Sequence, residues 1–294
     1  MTMKKRHKLQ RIAPSYFLMV MPLAALFFLF HTTPFLEGIF YSFTNWQGFG
    51  DWTFVGLANY LHLFTDPLIL GAYAFTFKFA LAATLAVNIL SLLLALALNS
   101  KIKFQGFLKA TYFLPYMLST LIIGFVFTFI FSDLLPQIGQ SLSIKALSVS
   151  ILGTDHAWIG VLIVTVWQSL AFNTLIYLSG LQTIDGDVNE AALLDGATGF
   201  TKFRTITFPL LAPFFTINMV LSVKNFLMVF DQIMAMTGGG PGNSTTSISV
   251  LIYQKGFNGG QFAIQSANSV LLFLIVIVIS FFQLRVLEKR EANF

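Results

Sequence analysis

The chain has 294 residues, of which 56% are hydrophobic and only 10% are charged, and its mean hydropathy is +0.78. This balance excludes an ordinary soluble domain, in which about 25% of residues are charged. Cysteine is absent, which excludes disulfides and thiolate metal sites. The net charge of +5 has to be interpreted from where the basic residues lie.

Six apolar runs are long enough to span a bilayer, which requires about 20 helical residues. The runs are continuous and lack strand-type alternation, so a β-barrel is not expected. The predicted fold class is an all-α membrane protein with six transmembrane helices. In chain order, we expect them near residues 16–43, 72–99, 107–132, 158–182, 209–235 and 264–287.

The positions of lysine and arginine predict the orientation of these helices. Thirteen of the 17 fall in the segments 1–11, 101–109, 202–204 and 285–290. Because basic residues favour the cytoplasmic side, we expect both termini of this multi-pass protein to be cytosolic. This pattern explains the net charge without nucleic-acid binding. The first apolar run is too long for a signal peptide, and we expect it to be retained.

The loops contain no pattern that predicts catalysis. The stretch TGGGPGNSTT at 237–246 lacks the lysine of a phosphate-binding loop. The four histidines are scattered without metal-ligand spacing. Residues 44–67 are rich in aromatic side chains and suit an interfacial segment or, equally, a connecting loop. We therefore do not expect an enzyme, a metal site or a cofactor bound by this chain.

The stretch EAALLDGATGFTKFRTITFPLLAP, residues 190–213, separates the fourth and fifth apolar runs. It predicts a short helix, for which Asp187 and Asn189 are available as caps. Gly196 and Gly199 permit a tight turn. Three small residues leave a bare surface that another protein could approach closely: Ala191, Ala192 and Ala197. A plain cytosolic loop is the alternative, but it does not explain the small-residue helix.

This stretch resembles the EAA loop of permease subunits of ATP-binding-cassette (ABC) importers. The matching residues are Glu190, Ala191, Ala192, Gly196, Ile206 and Pro209, and Phe208 stands where leucine is frequent. Two further stretches, 54–67 and 230–246, resemble the first permease of carbohydrate-uptake systems of the maltose and multiple-sugar type. With the six-helix layout, the resemblance covers almost the whole chain.

The resemblance implies a division into residues 1–70 and a permease core, 71–294, with the EAA loop at 183–208. It also implies that this chain contacts membrane lipid and has several protein partners. These are a second permease, two ATPase subunits that carry ATP and magnesium, and an extracytoplasmic sugar-binding protein. Glu190 would pair with a basic residue of the ATPase. Four residues would fit the ATPase groove: Ala191, Ala192, Gly196 and Ala197.

Helical geometry suggests a substrate path. On the fifth helix, Asn218, Ser222, Asn225 and Gln232 fall within about 80° of one another. On the fourth helix, Gln168 and Ser169 share a face with Phe172. Amide, hydroxyl and aromatic groups suit a sugar, so we predict that these residues line the path. The alternative is hydrogen bonding between helices, which uses the same residue types.

Charged residues within the apolar runs need a separate explanation, because ionisable groups at membrane depth are functional candidates. Lys224 and Asp231 are seven residues apart, which predicts one side of the fifth helix, about 120° from the amide stripe. We expect them to meet the partner permease or another helix. The alternative is that Lys224, with Lys78, attracts an anionic substrate such as a sugar acid or glycerol phosphate, although Lys78 could simply snorkel.

The predicted function is the transmembrane subunit of an ATP-driven carbohydrate importer. An ion-coupled secondary transporter is the first alternative from another class, and it would be expected to show inverted repeats. A membrane scaffold or sensor is the second, and it would need no polar stripe.

Overall fold

The computed structural model describes residues 14–100 and 103–291. Six of its helices are long and apolar enough to cross a membrane, which confirms the predicted number. No strand is present in these ranges apart from an isolated antiparallel bridge between Thr44 and Phe54. We number the spans in chain order: span 1, Phe17–Tyr41; span 2, Pro67–Asn99; span 3, Thr120–Ser141; span 4, Ala157–Gln182; span 5, Gly199–Leu227; span 6, Phe262–Leu287.

Shorter helices connect the spans, and several spans contain a single wider π-helical turn. The π turns lie at Phe28–Thr32, Ile130–Leu134, Phe203–Thr207 and, before span 6, Gln254–Asn258. Two 3-10 turns, Lys145–Leu147 and Ile151–Gly153, precede span 4. The short α-helices are Ala58–Leu63, Gln105–Met117, Gly186–Leu194, Asp231–Met236 and Ile248–Tyr253, and the helix of span 6 continues to Glu291.

Spans 2, 4 and 5 form the centre of the molecule, where each packs against the other two. Their apolar interior includes Phe79, Val87 and Val161, all fully buried. A second apolar cluster, near Leu63 and Ile248, lies toward the start of span 2, and a third, near Leu98 and Leu181, lies toward its end. Span 1 contacts span 6, and no residue of span 1 is buried. The division at residue 70 stays a prediction.

The predicted third helix, 107–132, was wrong in its bounds. One helix ends at Met117, Leu118 is extended with φ −81° and ψ 145°, and span 3 begins at Thr120. The apolar composition continues through this point, so hydropathy gave no signal of the break. A helix break inside a membrane protein requires other partners for the freed backbone groups, and span 4 supplies one, as described below.

The predicted fifth helix, 209–235, was wrong at both ends. Span 5 begins ten residues earlier, at Gly199, and ends at Leu227. Phe230 leaves the helical region with φ −139° and ψ −61°, and a separate helix, Asp231–Met236, follows. The freed carbonyl of Val229 accepts a hydrogen bond of 2.7 Å from the buried Ser247 hydroxyl. Asp231 and Gln232 therefore do not belong to the helix that carries Lys224.

Candidate functional site

The segment 183–208 runs from the end of span 4 through the helix Gly186–Leu194 and includes the first ten residues of span 5. Asp185, rather than the predicted Asp187 or Asn189, is its N-cap, and its side chain accepts from the Asp187 amide at 3.2 Å. The helix ends in a Schellman motif: the amides of Gly196 and Ala197 donate to the carbonyls of Leu193 and Ala192 at 3.1 and 2.9 Å. Gly196 has φ +76°, a conformation that glycine adopts without strain.

The exposed surface of this segment is partly apolar. Glu190, Ala191 and Gly196 are exposed, and Ala197 is half-buried. Leu194 and Phe200 are 89% and 74% exposed, which is unusual for side chains of their size. Ala192 differs from the prediction, since it is 2% exposed and packs within the chain instead of facing a partner.

Spans 2, 4 and 5 share a chain of buried polar side chains, which we call the interior network: Asn88, Asn173, Tyr177, Asn218 and Ser222. The Tyr177 hydroxyl donates to Asn88 Oδ1 at 2.8 Å. Asn88 Nδ2 donates to Ser222 Oγ at 3.3 Å, and Ser222 Oγ donates to Asn173 Oδ1 at 2.9 Å. Asn218 Nδ2 donates to the Asn173 carbonyl at 3.0 Å. The network thus joins all three central spans.

The interior network lies near the middle of the predicted membrane layer. Asn88 is eleven residues from the end of span 2, and Asn173 is nine residues from the end of span 4. At 1.5 Å per residue, both lie about 14–17 Å from the helix ends next to the segment 183–208. This is about half the thickness of a hydrocarbon core of about 30 Å.

Asn218 and Ser222 are turned into this network and not toward a path. Their exposed fractions are 0% and 2%, so neither side chain can contact a ligand in this conformation. Their position matches the alternative of hydrogen bonding between helices. Asn225, one turn further along span 5, is exposed. The three residues therefore do not form the continuous stripe that the helical wheel predicted.

The two helix breaks meet beside span 4. Gln168 Nε2 donates to Thr120 Oγ1 at 3.1 Å and to the Leu118 carbonyl at 3.4 Å, which compensates the first break. Gln232 Nε2, just after the second break, donates to Gln168 Oε1 at 3.4 Å. Interrupted helices that bring free polar groups to mid-membrane are typical of transporter binding sites. Gln168 is thus placed where a polar site could form, although only 7% of it is exposed.

An aromatic pair lies one turn from Gln168. Phe172, half-buried, stacks on Tyr116 with ring centroids 5.6 Å apart and an angle of 18° between the rings. Tyr116 is 55% exposed. Ser169 is half-buried on the same span. Ser222 and Asn173 are hydrogen-bonded and therefore lie at the same level. Asn225 lies about one turn from Ser222 on span 5, and Ser169 lies about one turn from Asn173 on span 4, so Asn225 and Ser169 are also at about the same level.

Lys224, Asn225 and Asp231 are all exposed, and we call them the exposed face. The predicted spacing of Lys224 and Asp231 along one helix was wrong, because the break at residues 228–230 separates them. Within the described ranges, neither forms an ion pair in this chain. Lys78 has an interaction partner within the chain, since its Nζ lies over the Trp158 ring, 4.2 Å from the ring centre.

Sequence reasoning missed several residues of these two sites. The missed residues of the interior network are Asn88, Asn173 and Tyr177. Tyr116 belongs to the aromatic pair, and Thr120 lies at the first helix break. Isolated amides in the apolar second and fourth runs were the available signal. Among the described residues, no three His, Asp or Glu side chains lie close enough together to hold a metal ion.

Comparison with known proteins gives a consistent result. A family model described as "binding-protein-dependent transport system inner membrane component" matches residues 87–292. The probable starch degradation products transport system permease protein AmyD of Thermoanaerobacterium thermosulfurigenes is 35% identical over 291 residues, which cover 99% of this chain and 100% of AmyD. The multiple sugar-binding transport system permease protein MsmF of Streptococcus mutans is 39% identical over 271 residues, 92% of each chain.

The fold is also found among solved structures. A chain from the crystal structure of a bacterial ABC transporter involved in the import of the acidic polysaccharide alginate matches with a TM-score of 0.80. The match covers 93% of this chain and 95% of that chain at 20% identity, so it bears on the fold alone. The family model and the full-length relatives carry the assignment: the chain is a multi-pass membrane protein that belongs to the family of binding-protein-dependent transport system inner membrane components.

Proposed function

We propose that this chain is the transmembrane subunit of an ATP-driven importer for a sugar or oligosaccharide. The observation that carries the proposal is the exposed face: charged and amide side chains lie unpaired near mid-membrane in a protein that has sugar permeases among its full-length relatives. Ionisable groups at that depth usually face a bundle interior or a water-filled cavity. A second permease across this face would supply the other wall of a path.

In this proposal, sugar passes between the two permeases beside Gln168, Ser169, Phe172 and Asn225. The Tyr116–Phe172 pair offers an aromatic surface, and the amides offer hydrogen bonds to hydroxyl groups. Asn218 and Ser222 are assigned to holding spans 4 and 5 together, because they are buried and already bonded.

The segment 183–208 is proposed as the contact with an ATPase subunit. Glu190 and Ala191 would make the contact, and the exposed Leu194 and Phe200 would be covered by it. Ala192 and Gly196 would act indirectly, Ala192 by anchoring the helix and Gly196 by forming its C-terminal turn. ATP and magnesium would bind to two ATPase subunits, and a binding protein would deliver the sugar on the opposite side of the membrane.

In this proposal the chain lies in the inner membrane of a bacterium, with both termini and the segment 183–208 in the cytosol. The absence of native cysteine makes the orientation testable, since a single Asn293→Cys substitution can be labelled without background. Labelling of intact cells by a membrane-impermeant maleimide would contradict the cytosolic assignment.

The function is tested by uptake into proteoliposomes that contain this chain, its partner permease, the ATPase subunits and the binding protein. We expect sugar uptake that requires ATP inside the vesicles and persists when ionophores remove ion gradients. Uptake that follows an ion gradient without ATP would favour the secondary transporter instead.

The ATPase contact is tested by reversing one charge. Glu190→Lys should insert and fold normally but uncouple ATP hydrolysis from uptake, because it places a like charge against a basic site. Asp195→Lys is the matched control, since it reverses a charge at the C-cap of the same helix, about 140° away. Full uptake by Glu190→Lys, or an equal loss in both variants, would contradict the assignment.

A further inference from the structure

A pocket of about 510 Å³ lies far from the segment 183–208, at the opposite end of span 2. The first turns of span 2 form one wall, with Leu68, Gly71 and Phe75, and the glycine-rich turn at residues 242–246 forms the other. Its volume falls within the range of small-molecule sites, about 300–1,000 Å³. The walls combine apolar and aromatic groups on the span with amide and hydroxyl groups on the turn: Asn243, Ser244 and Thr246.

The glycine-rich turn is held rigidly by its own hydroxyl groups. Thr245 Oγ1 donates to the Gly240 carbonyl at 2.7 Å, and Thr246 Oγ1 donates to the Gly239 carbonyl at 2.9 Å. At Gly239, with φ +94°, a Cβ atom would lie 2.8 Å from Thr246 Oγ1, so only glycine fits. The turn is therefore preorganised, which lowers the entropic cost of binding a ligand.

Span 2 and the glycine-rich turn are also fixed to each other. The amide of Ile248, just after the turn, donates to the buried Thr76 hydroxyl at 3.0 Å, and Thr76 is one residue beyond Phe75. The two walls of the pocket cannot separate without breaking this bond. The pocket is therefore a feature of the folded protein and not a gap beside a loose loop.

One polar group in the pocket wall is unsatisfied. Ser244 Oγ is inaccessible to solvent and has no hydrogen-bond partner. Because solvent does not reach this atom, it cannot contact a ligand in this conformation. The neighbouring Asn243 side chain is exposed, so its amide is a polar group that a ligand in the pocket can reach. The other hydroxyls of the turn are already engaged, as are those of Thr237 and Thr245, which pair at 2.8 Å.

We propose that this pocket is an outer subsite for a saccharide, which it holds before the sugar reaches the path beside Gln168 and Asn225. The inference rests on the proposed function, which places this end of span 2 where the binding protein releases its cargo. Phe75 would contact the apolar face of a sugar ring, and the exposed Asn243 amide would bond its hydroxyl groups.

The first test is protection from labelling. Leu68→Cys, in an otherwise cysteine-free chain, is labelled with a hydrophilic maleimide in proteoliposomes containing the complete transporter. Wild-type uptake is first measured with maltotriose, trehalose and raffinose, and protection from labelling is then measured with whichever sugar is taken up. That sugar should slow labelling of Leu68→Cys, and it should not affect Ala74→Cys, an exposed control on the same span that does not line the pocket.

The second test fills the pocket or removes its exposed amide. Gly71→Leu should fit without a clash, because a Cβ at this position meets nothing within 4 Å, and it should reduce uptake sharply. Ala74→Leu is its control. Asn243→Gly should raise the half-saturation concentration by about twofold to tenfold, the effect of one neutral hydrogen bond. It should not lower the unfolding temperature, since glycine adopts the φ of +68° at this position without strain.

The outcomes separate this inference from the proposed function. If the wild type takes up none of the three sugars with ATP, the proposed function fails and this inference fails with it. If the wild type takes up sugar, but labelling is not slowed and Gly71→Leu transports normally, the outer subsite alone is wrong. Labelling that depends on phospholipid content and not on sugar would also overturn it, by assigning the pocket to lipid.

Discussion

The interior network and the exposed face differ in their surroundings more than in their residue types. Both contain an amide of span 5 near mid-membrane, and Ser222 and Asn225 are only three residues apart. In the network, every residue has a partner on another span at 2.8–3.3 Å. On the exposed face, the side chains of Lys224, Asn225 and Asp231 lie open. A polar residue in a membrane helix can therefore serve packing or a path, and one helical turn separates the two roles.

The comparison gives experiments that distinguish folding from transport. Substitutions in the interior network should lower the free energy of unfolding and leave sugar affinity unchanged in whatever protein folds. Substitutions on the exposed face should lower the sugar affinity and leave the free energy of unfolding unchanged.

The largest effect is expected from Asn88→Leu. It removes the partner of Tyr177 and one partner of Ser222, and it should lower the free energy of unfolding by about 2 kcal/mol. A buried polar group left unpaired costs about 1–3 kcal/mol, although interhelical bonds in membranes average about 0.6 kcal/mol. Thermal unfolding of the purified complex measures the change. Asn225→Leu makes the same substitution on the exposed face, and an equal loss of stability there would remove the distinction between the regions.

Asn225→Ala should affect transport instead. Loss of the hydrogen bond, together with a buried sugar hydroxyl left without a partner, should raise the half-saturation concentration for uptake by roughly threefold to a hundredfold. The thermal unfolding temperature should remain that of the wild type. Uptake measured across sugar concentrations checks this, and a wild-type curve would place the path on another face of span 5.

Lys224→Met tests what the exposed charge contacts. If Lys224 pairs with the partner permease, its loss should weaken assembly by roughly fivefold to thirtyfold, since polar contacts between helices contribute about 1–2 kcal/mol in model peptides. Co-purification of the two permeases measures this, with Asp231→Asn as a second neutralised charge. Normal assembly with selective loss of an anionic sugar would instead assign Lys224 to the substrate.

Ser222→Ala should have the smallest effect. Its hydroxyl bonds Asn88 and Asn173, and the Nδ2 groups of both amides keep backbone partners, so Asn173 Oδ1 alone loses its donor. The loss of stability should be about 0.6 kcal/mol, the average for an interhelical bond in a membrane. The half-saturation concentration for sugar should not change. A shift comparable to that of Asn225→Ala would mean that Ser222 reaches the path in another conformation of the transporter.

The sequence by itself determined the number of spans, their order and the family, because long apolar runs and the segment 190–209 depend on local composition. It also predicted the short helix and the turn at Gly196, since a positive φ at a helix end favours glycine whatever surrounds it. The N-cap was missed by only two residues, as Asp185 and Asp187 are equally suitable by type.

Tertiary structure alone decided where the helices break and which face of span 5 is buried. The break at Leu118 is stabilised by Gln168, fifty residues away, and the break before Asp231 by Ser247. A helical wheel gives the angles between side chains but not the direction in which neighbouring helices lie. Asn218 and Ser222 became interior residues because Asn88 and Asn173 on two other spans meet them there, and no local pattern contains that information.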